Sequence, residues 1–199
     1  MTVKMPVVTV TGAVHVSTRK IQDKKYASYE GEGLSVSQHP DAWRRIACLK
    51  GENWNISTPL KMLNFHSLTE KQKAHILSYA VDAGWVQEVA LYRVSWFDDE
   101  FDGTASFILN SREEAEEEAD GCDGELTEFV GHIYTDTFPD RTVKAGEPVM
   151  DLGIITAAWV NLERVDLDGV WWADNLDVAR LSAPRGVISV NKVAGFMGV

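Results

Sequence analysis

The sequence predicts an α+β fold of strand-rich mixed sheets with a few short helices. Three observations carry that expectation. Stretches rich in β-branched and aromatic residues recur at 6–16 (PVVTVTGAVHV), 86–96 (VQEVALYRVSW) and 126–136 (LTEFVGHIYTD). Two capping boxes, Thr69–Gln72 and Ser111–Glu114, mark helix starts. Helices fall early and strands late, not in the regular alternation of a parallel α/β sheet.

The elements follow in order. Residues 6–16 read as one strand, and Ser17 or Thr18 caps a short helix to about Lys24. Residues 26–33 are a loop, and Gly33-Leu34-Ser35-Val36-Ser37 alternates as a short strand. Pro40 suits a first helical turn, where its missing N–H is not needed. That helix runs to Leu49 or Lys50, with Gly51 as C-cap and Ala42, Trp43, Ile46, Ala47 and Leu49 on its apolar face. The Thr69 box opens a helix through Ala74, Leu77, Ala80 and Val81 that ends at Gly84. Strands at 86–96 and 104–109 precede the Ser111 helix, which runs to about Asp120, and a strand at 126–136 follows. Residues 149–165 fit either a strand pair or a helix. VWW (170–172) and 186–193 read as strands, and alternation would leave one of Trp171 and Trp172 exposed.

The 199 residues, 45% hydrophobic and 10% aromatic, suit a single domain over 1–199 with its own core. No apolar run reaches the roughly 18 residues of a membrane span. The N-terminus lacks an A-x-A-like cleavage site and reads as a strand rather than a signal peptide. Cys48 and Cys122 give neither a disulfide framework nor metal spacing, which points to a reducing cytoplasm.

The net charge of −11 is concentrated in one place. Residues 98–128 hold thirteen acids against Arg112 alone, a net −12, so the other 168 residues sum to about +1. The segment is expected to be an insertion or surface element, and like charge excludes it as a nucleic-acid interface. Asp98, Asp99, Glu100, Asp102, Glu113, Glu114, Glu116, Glu117 and Glu118 are the candidate binding residues, facing a basic protein surface. Asp98-x-Glu100-x-Asp102-Gly103 opens like a calcium loop, but its twelfth position is Leu109 in place of the bidentate glutamate. The five histidines show no H-x-x-x-H pair, and no metal site is expected.

His15-Val16-Ser17, followed by the strand GLSVS at 33–37 and then a helix, resembles the opening of the ADP-ribosyltransferase-like fold over roughly residues 10–50. The resemblance implies NAD as cofactor, with His15 and Ser17 holding its nicotinamide ribose and amide. Gly33, Leu34 and Ser35 would line the pocket, and a basic target protein would be modified. An imidazole and a hydroxyl at i and i+2 of a strand do face one side. Two departures stand out. Ser35 occupies the position of the stacking tyrosine, with Tyr26 and Tyr29 just upstream. No glutamate follows Glu163, so Asp174 or Asp177 would have to supply the late carboxylate. The competing expectation is a non-enzymatic interaction protein, an inhibitor or nucleic-acid mimic that uses the 98–128 face to block a basic site on a partner.

Overall fold

A computed structural model of the chain describes residues 3–17, 27–28, 31–46, 48, 50–100, 102–162, 166–172 and 185–196. It is α+β, with helices and several separate sheets. The chain divides into two compact units, one from 1–77 and 152–199 and the other from 78–151, and the acidic segment lies wholly within the second.

The first unit is built on five strands. β1 (Val7–Val10), β5 (Leu34–Val36), β7 (Leu60–Asn64), β11 (Gly169–Trp171) and β12 (Gly186–Ile188) form a sheet in the order β1-β7-β11-β12-β5. Only the β7–β11 pair is parallel. β2 (Val14–Ser17) pairs instead with β6 (Glu52–Asn55), and a small hairpin joins β3 (Ala27–Ser28) to β4 (Gly31–Glu32). The single strand expected over 6–16 is therefore two strands in two sheets. Gly12, at φ +68°, breaks it, because that conformation cannot continue a pleated strand. The helix expected from Ser17 or Thr18 lies mostly outside the described residues, and Ser17 itself ends β2.

α1 (Pro40–Ile46) starts where Pro40 predicts but stops earlier than expected. The left-handed residue after it is Cys48, at φ 50°, so Gly51 is not its cap. Ala42 and Trp43 of its expected apolar face are buried, and Ala47 and Leu49 lie outside the described residues. β6 and β7 answer to no sequence expectation. β7 is nonetheless central: Leu60, Met62 and Leu63 are fully buried, and the first two join Val10, Leu34, Val36, Ile56, Trp171 and Ile188 in one core. Asp168 pins the register, since its carboxylate accepts from Lys61 N at 2.7 Å and its own N–H donates to Lys61 O at 2.7 Å.

The ambiguous stretch 149–165 contains a helix, α4 (Gly153–Asn161). Ile155 through Val160 are all buried, so the helix lacks the polar face that would have identified it. Its buried Thr156 hydroxyl donates to Leu152 O at 2.6 Å, which satisfies that group inside the apolar run. Trp171 and Trp172 are both buried, against the expectation that one is exposed. The strand expected at 186–193 ends at Ile188, and a helical turn and α5 (Val193–Phe196) follow.

α2 (Glu70–Asp82) carries the chain from the first unit into the second. Its capping box closes both ways: Thr69 N donates to Gln72 Oε1 at 2.8 Å, and Gln72 N to Thr69 Oγ1 at 3.3 Å. Its end is a Schellman turn, with Gly84 at φ +74°, Gly84 N bonded to Val81 O and Trp85 N to Ala80 O. β8 (Val86–Asp98), β9 (Gly103–Leu109) and β10 (Glu125–Tyr134) then form an antiparallel sheet in the order β10-β8-β9. α3 (Arg112–Cys122) crosses between β9 and β10, capped by Ser111 Oγ, which accepts from Glu114 N at 3.3 Å. Its Ala115 and Ala119, one turn apart, pack on Val94 among Tyr92, Trp96, Phe107, Leu109 and Leu126.

At the end of β10, Tyr134 is 4% exposed, and its phenol is held protonated well beyond its ordinary range. Burial is the main cause, reinforced by the negative charges of Asp151, Asp140 and Glu147. The fold therefore keeps this proton where an unfolded chain releases it. The resulting stability is complete below about pH 10 and is lost as pH climbs from there toward the folded value. Denaturant midpoints of the wild type are expected to fall above about pH 10. In Tyr134→Phe that decline should be shallower.

Candidate functional site

His15 lies within β2 and is 5% exposed. Its Nδ1 lies 2.7 Å from the carbonyl oxygen of Ser35. A carbonyl only accepts, so Nδ1 carries the proton of this hydrogen bond. The ring stands edge-on to Trp43 of α1 at 5.9 Å. Two backbone bonds between Val14 and Ser37, at 2.9 and 3.0 Å, lash β2 to the end of β5. Ser37 Oγ in turn accepts from His39 N at 2.9 Å as the chain enters α1. The histidine strand, the GLSVS strand and the following helix are thus brought together.

The other expected pocket residues are placed differently. Leu34 is 2% exposed in the core of the five-stranded sheet. Gly33 is tight against β12: a Cβ there would lie 2.1 Å from Val187 Cγ1 and 2.6 Å from Ile188 O. Both have a packing role that accounts for their identity without a ligand. Ser35 alternates away from that core and is half-buried, and its backbone carbonyl, not its hydroxyl, meets His15. Ser17 is 8% exposed. Tyr26, Tyr29, Glu163, Asp174 and Asp177 lie outside the described residues.

β6 adds two residues that the sequence reading missed. Trp54 stands opposite His15 in the register and Glu52 opposite Ser17. Directly opposed side chains share a face with Cβ atoms about 4.5–5.5 Å apart. Trp54 Nε1 is buried and has no hydrogen-bond partner among the described residues. The available signal was the alternation of ENWN, which is too short to predict a strand without its partner.

The acidic segment is arranged on the β8–β9–α3–β10 unit. β8 and β9 pair as a hairpin as far as Asp98↔Gly103, with Glu100 N bonded to Asp98 Oδ1 at 3.0 Å and Asp102 at φ 48°. Leu109 is in β9, so the residues that opened like a calcium loop serve a hairpin. Among the described residues no three His, Cys, Asp or Glu side chains group as metal ligands. Glu113, Glu114, Glu116, Glu117 and Glu118 are all exposed on α3, since its alanines take the buried stripe. Arg112, the one base of the segment, bonds Glu116 at 2.8 Å and approaches Glu128 on β10 at 3.7 Å. These carboxylates hold its guanidinium pKa above its ordinary value. The segment's positive charge is thus engaged internally, and among the described residues the remaining glutamates of α3 form no ion pair.

Among the described residues no helix is long and apolar enough to cross a membrane, and Cys48 and Cys122 are free thiols. No protein-family model, curated protein or solved structure matches the chain.

Proposed function

We propose that this chain is a binding protein whose 98–128 face occupies a basic site on a protein partner, as an inhibitor or nucleic-acid mimic would. One observation carries this reading: five consecutive-turn glutamates project from α3 while the only base is tied to Glu116 and Glu128. Such a one-signed field accelerates encounter with a positive groove and rejects acidic surfaces. The free thiols suit a reducing cytoplasm. The test is capture from lysate at low and high salt. Basic proteins retained at low salt and released at high salt support the reading, because exposed charges are screened within about 10 Å at 0.1 M salt. Capture indifferent to salt, or of proteins without a basic surface, overturns it.

A second reading, a divergent ADP-ribosyltransferase-like site for NAD acting on a basic target, is favoured by a specific observation. The indole N–H of Trp54, without a hydrogen-bond partner among the described residues, faces the same side as His15, and Glu52 shares a side with Ser17. Cleavage of a nicotinamide–ribose bond builds positive charge on the ribose, and a carboxylate beside it would stabilise that charge. In this reading Glu52 replaces the late glutamate, and His15, Ser17 and Trp54 hold the amide and ribose. NAD at millimolar concentration should then raise the thermal midpoint of the wild type and not of Trp54→Phe. No shift in the wild type removes this reading and leaves the first intact.

A further inference from the structure

β9 is an edge strand without the usual protection. Among the described residues it pairs with β8 alone. The far edge of β10 is different: Val149 N bonds His132 O at 2.8 Å and Tyr134 N bonds Glu147 O at 3.0 Å, so residues 147–149 cover part of it. Edge strands are commonly blunted by lysine, proline or a bulge. Residues 104–109 (TASFIL) contain no proline and no charge, their pairing with β8 is unbroken from Gly103 to Leu109, and none of them is buried. The strand therefore offers a row of backbone donors and acceptors.

The two flanks of α3 decide what fits there. Arg112 reaches Glu128 on β10 and bonds Glu116, so that flank faces β10. At about 100° per residue, Glu114 and Glu118 fall on the opposite flank, on the β9 side of the helix. The α3 face of β9 carries Ala105, Phe107 and Leu109, over which the stems of long basic side chains can lie, and the other face carries Thr104, Ser106 and the half-buried Ile108, with Phe97 of β8 61% exposed on the same side. A second copy of this chain would bring two segments of net −12 side by side, and like charges facing each other across an interface are unfavourable.

We propose that β9 accepts an added strand from a partner, an extended segment alternating lysine or arginine with apolar residues. Its basic side chains lie on the α3 face toward Glu114 and Glu118, and its apolar ones lie beside Ile108. Backbone bonds to β9 supply the docking and the glutamates choose the occupant. This proposal rests on the acidic-face reading and adds the geometry of engagement.

The test titrates the full chain with a roughly ten-residue alternating lysine–valine peptide, enough to span β9 at about 3.4 Å per residue. The control is the same peptide N-methylated at alternate residues, made in both frames, with unchanged charge. Methylation in the correct frame should weaken binding about tenfold or more, and hydrogen exchange should slow at amides within Thr104–Leu109. If all peptides bind equally and salt abolishes binding, strand addition is overturned while the acidic-face reading stands. If none binds at low salt, both fail.

Discussion

Gly33→Ala should lower the stability of the fold by about 3 kcal/mol, roughly 10 °C in thermal midpoint for a chain of this size. The new methyl would sit 2.1 Å from Val187 Cγ1, which can rotate, and 2.6 Å from the carbonyl oxygen of Ile188, which cannot move without shifting β12. The β5–β12 pairing at Leu34↔Ile188 and Ser35↔Val187 would have to open to admit it. At Gly12, by contrast, a Cβ meets nothing within 4 Å, and only its φ of +68° opposes substitution. Gly12→Ala should therefore cost only about 1–2 kcal/mol. Near-ultraviolet circular dichroism of the thermal transition checks both, since buried Trp171 reports on the sheet between them. Equal losses for the two variants would show that β12 does not press on Gly33.

Replacing Glu113, Glu114, Glu117 and Glu118 together by glutamine should weaken binding of an oligolysine peptide by about tenfold to a hundredfold at low salt. The difference should vanish near 1 M salt, where the screening length is about 3 Å. The fold should barely respond. Glu113 and Glu114 in the first turn gain from the helix dipole, about 0.3–1 kcal/mol each. The like-charged pairs 113–117 and 114–118 lose about 0.2–0.5 kcal/mol each, so the effects largely cancel. Isothermal titration with thermal unfolding of the same variant separates the two quantities. A large fall in thermal midpoint would mean that the glutamates serve the helix rather than a partner.

The unit that carries this charge was the most legible part of the sequence. The Ser111 cap and the Gly84 stop are interactions over a few residues, and β8, β9, α3 and β10 are neighbours in the chain. The first unit hid more because its elements are defined by distant partners. LKMLN is an interior strand only through β1 and through β11, and Asp168, just before β11, meets Lys61 across 107 residues. α4 is buried nearly all round, which removes the amphipathic period that separates helix from strand. Gly12 divides a stretch that composition shows as continuous. At the candidate site, His15 and Ser35 are named by a short motif and lie close together, whereas Glu52 and Trp54 became visible only once β6 was set beside β2.

Zero-length cross-linking with a carbodiimide, which joins carboxylates to amines in direct contact, tests the central claim most directly. Applied to the chain with its captured partners, it should join partner lysines to glutamates between Glu113 and Glu118, and these links should disappear at about 0.5 M salt. Links confined to carboxylates outside 98–128, or unchanged at high salt, would contradict the assignment of this face as the binding surface.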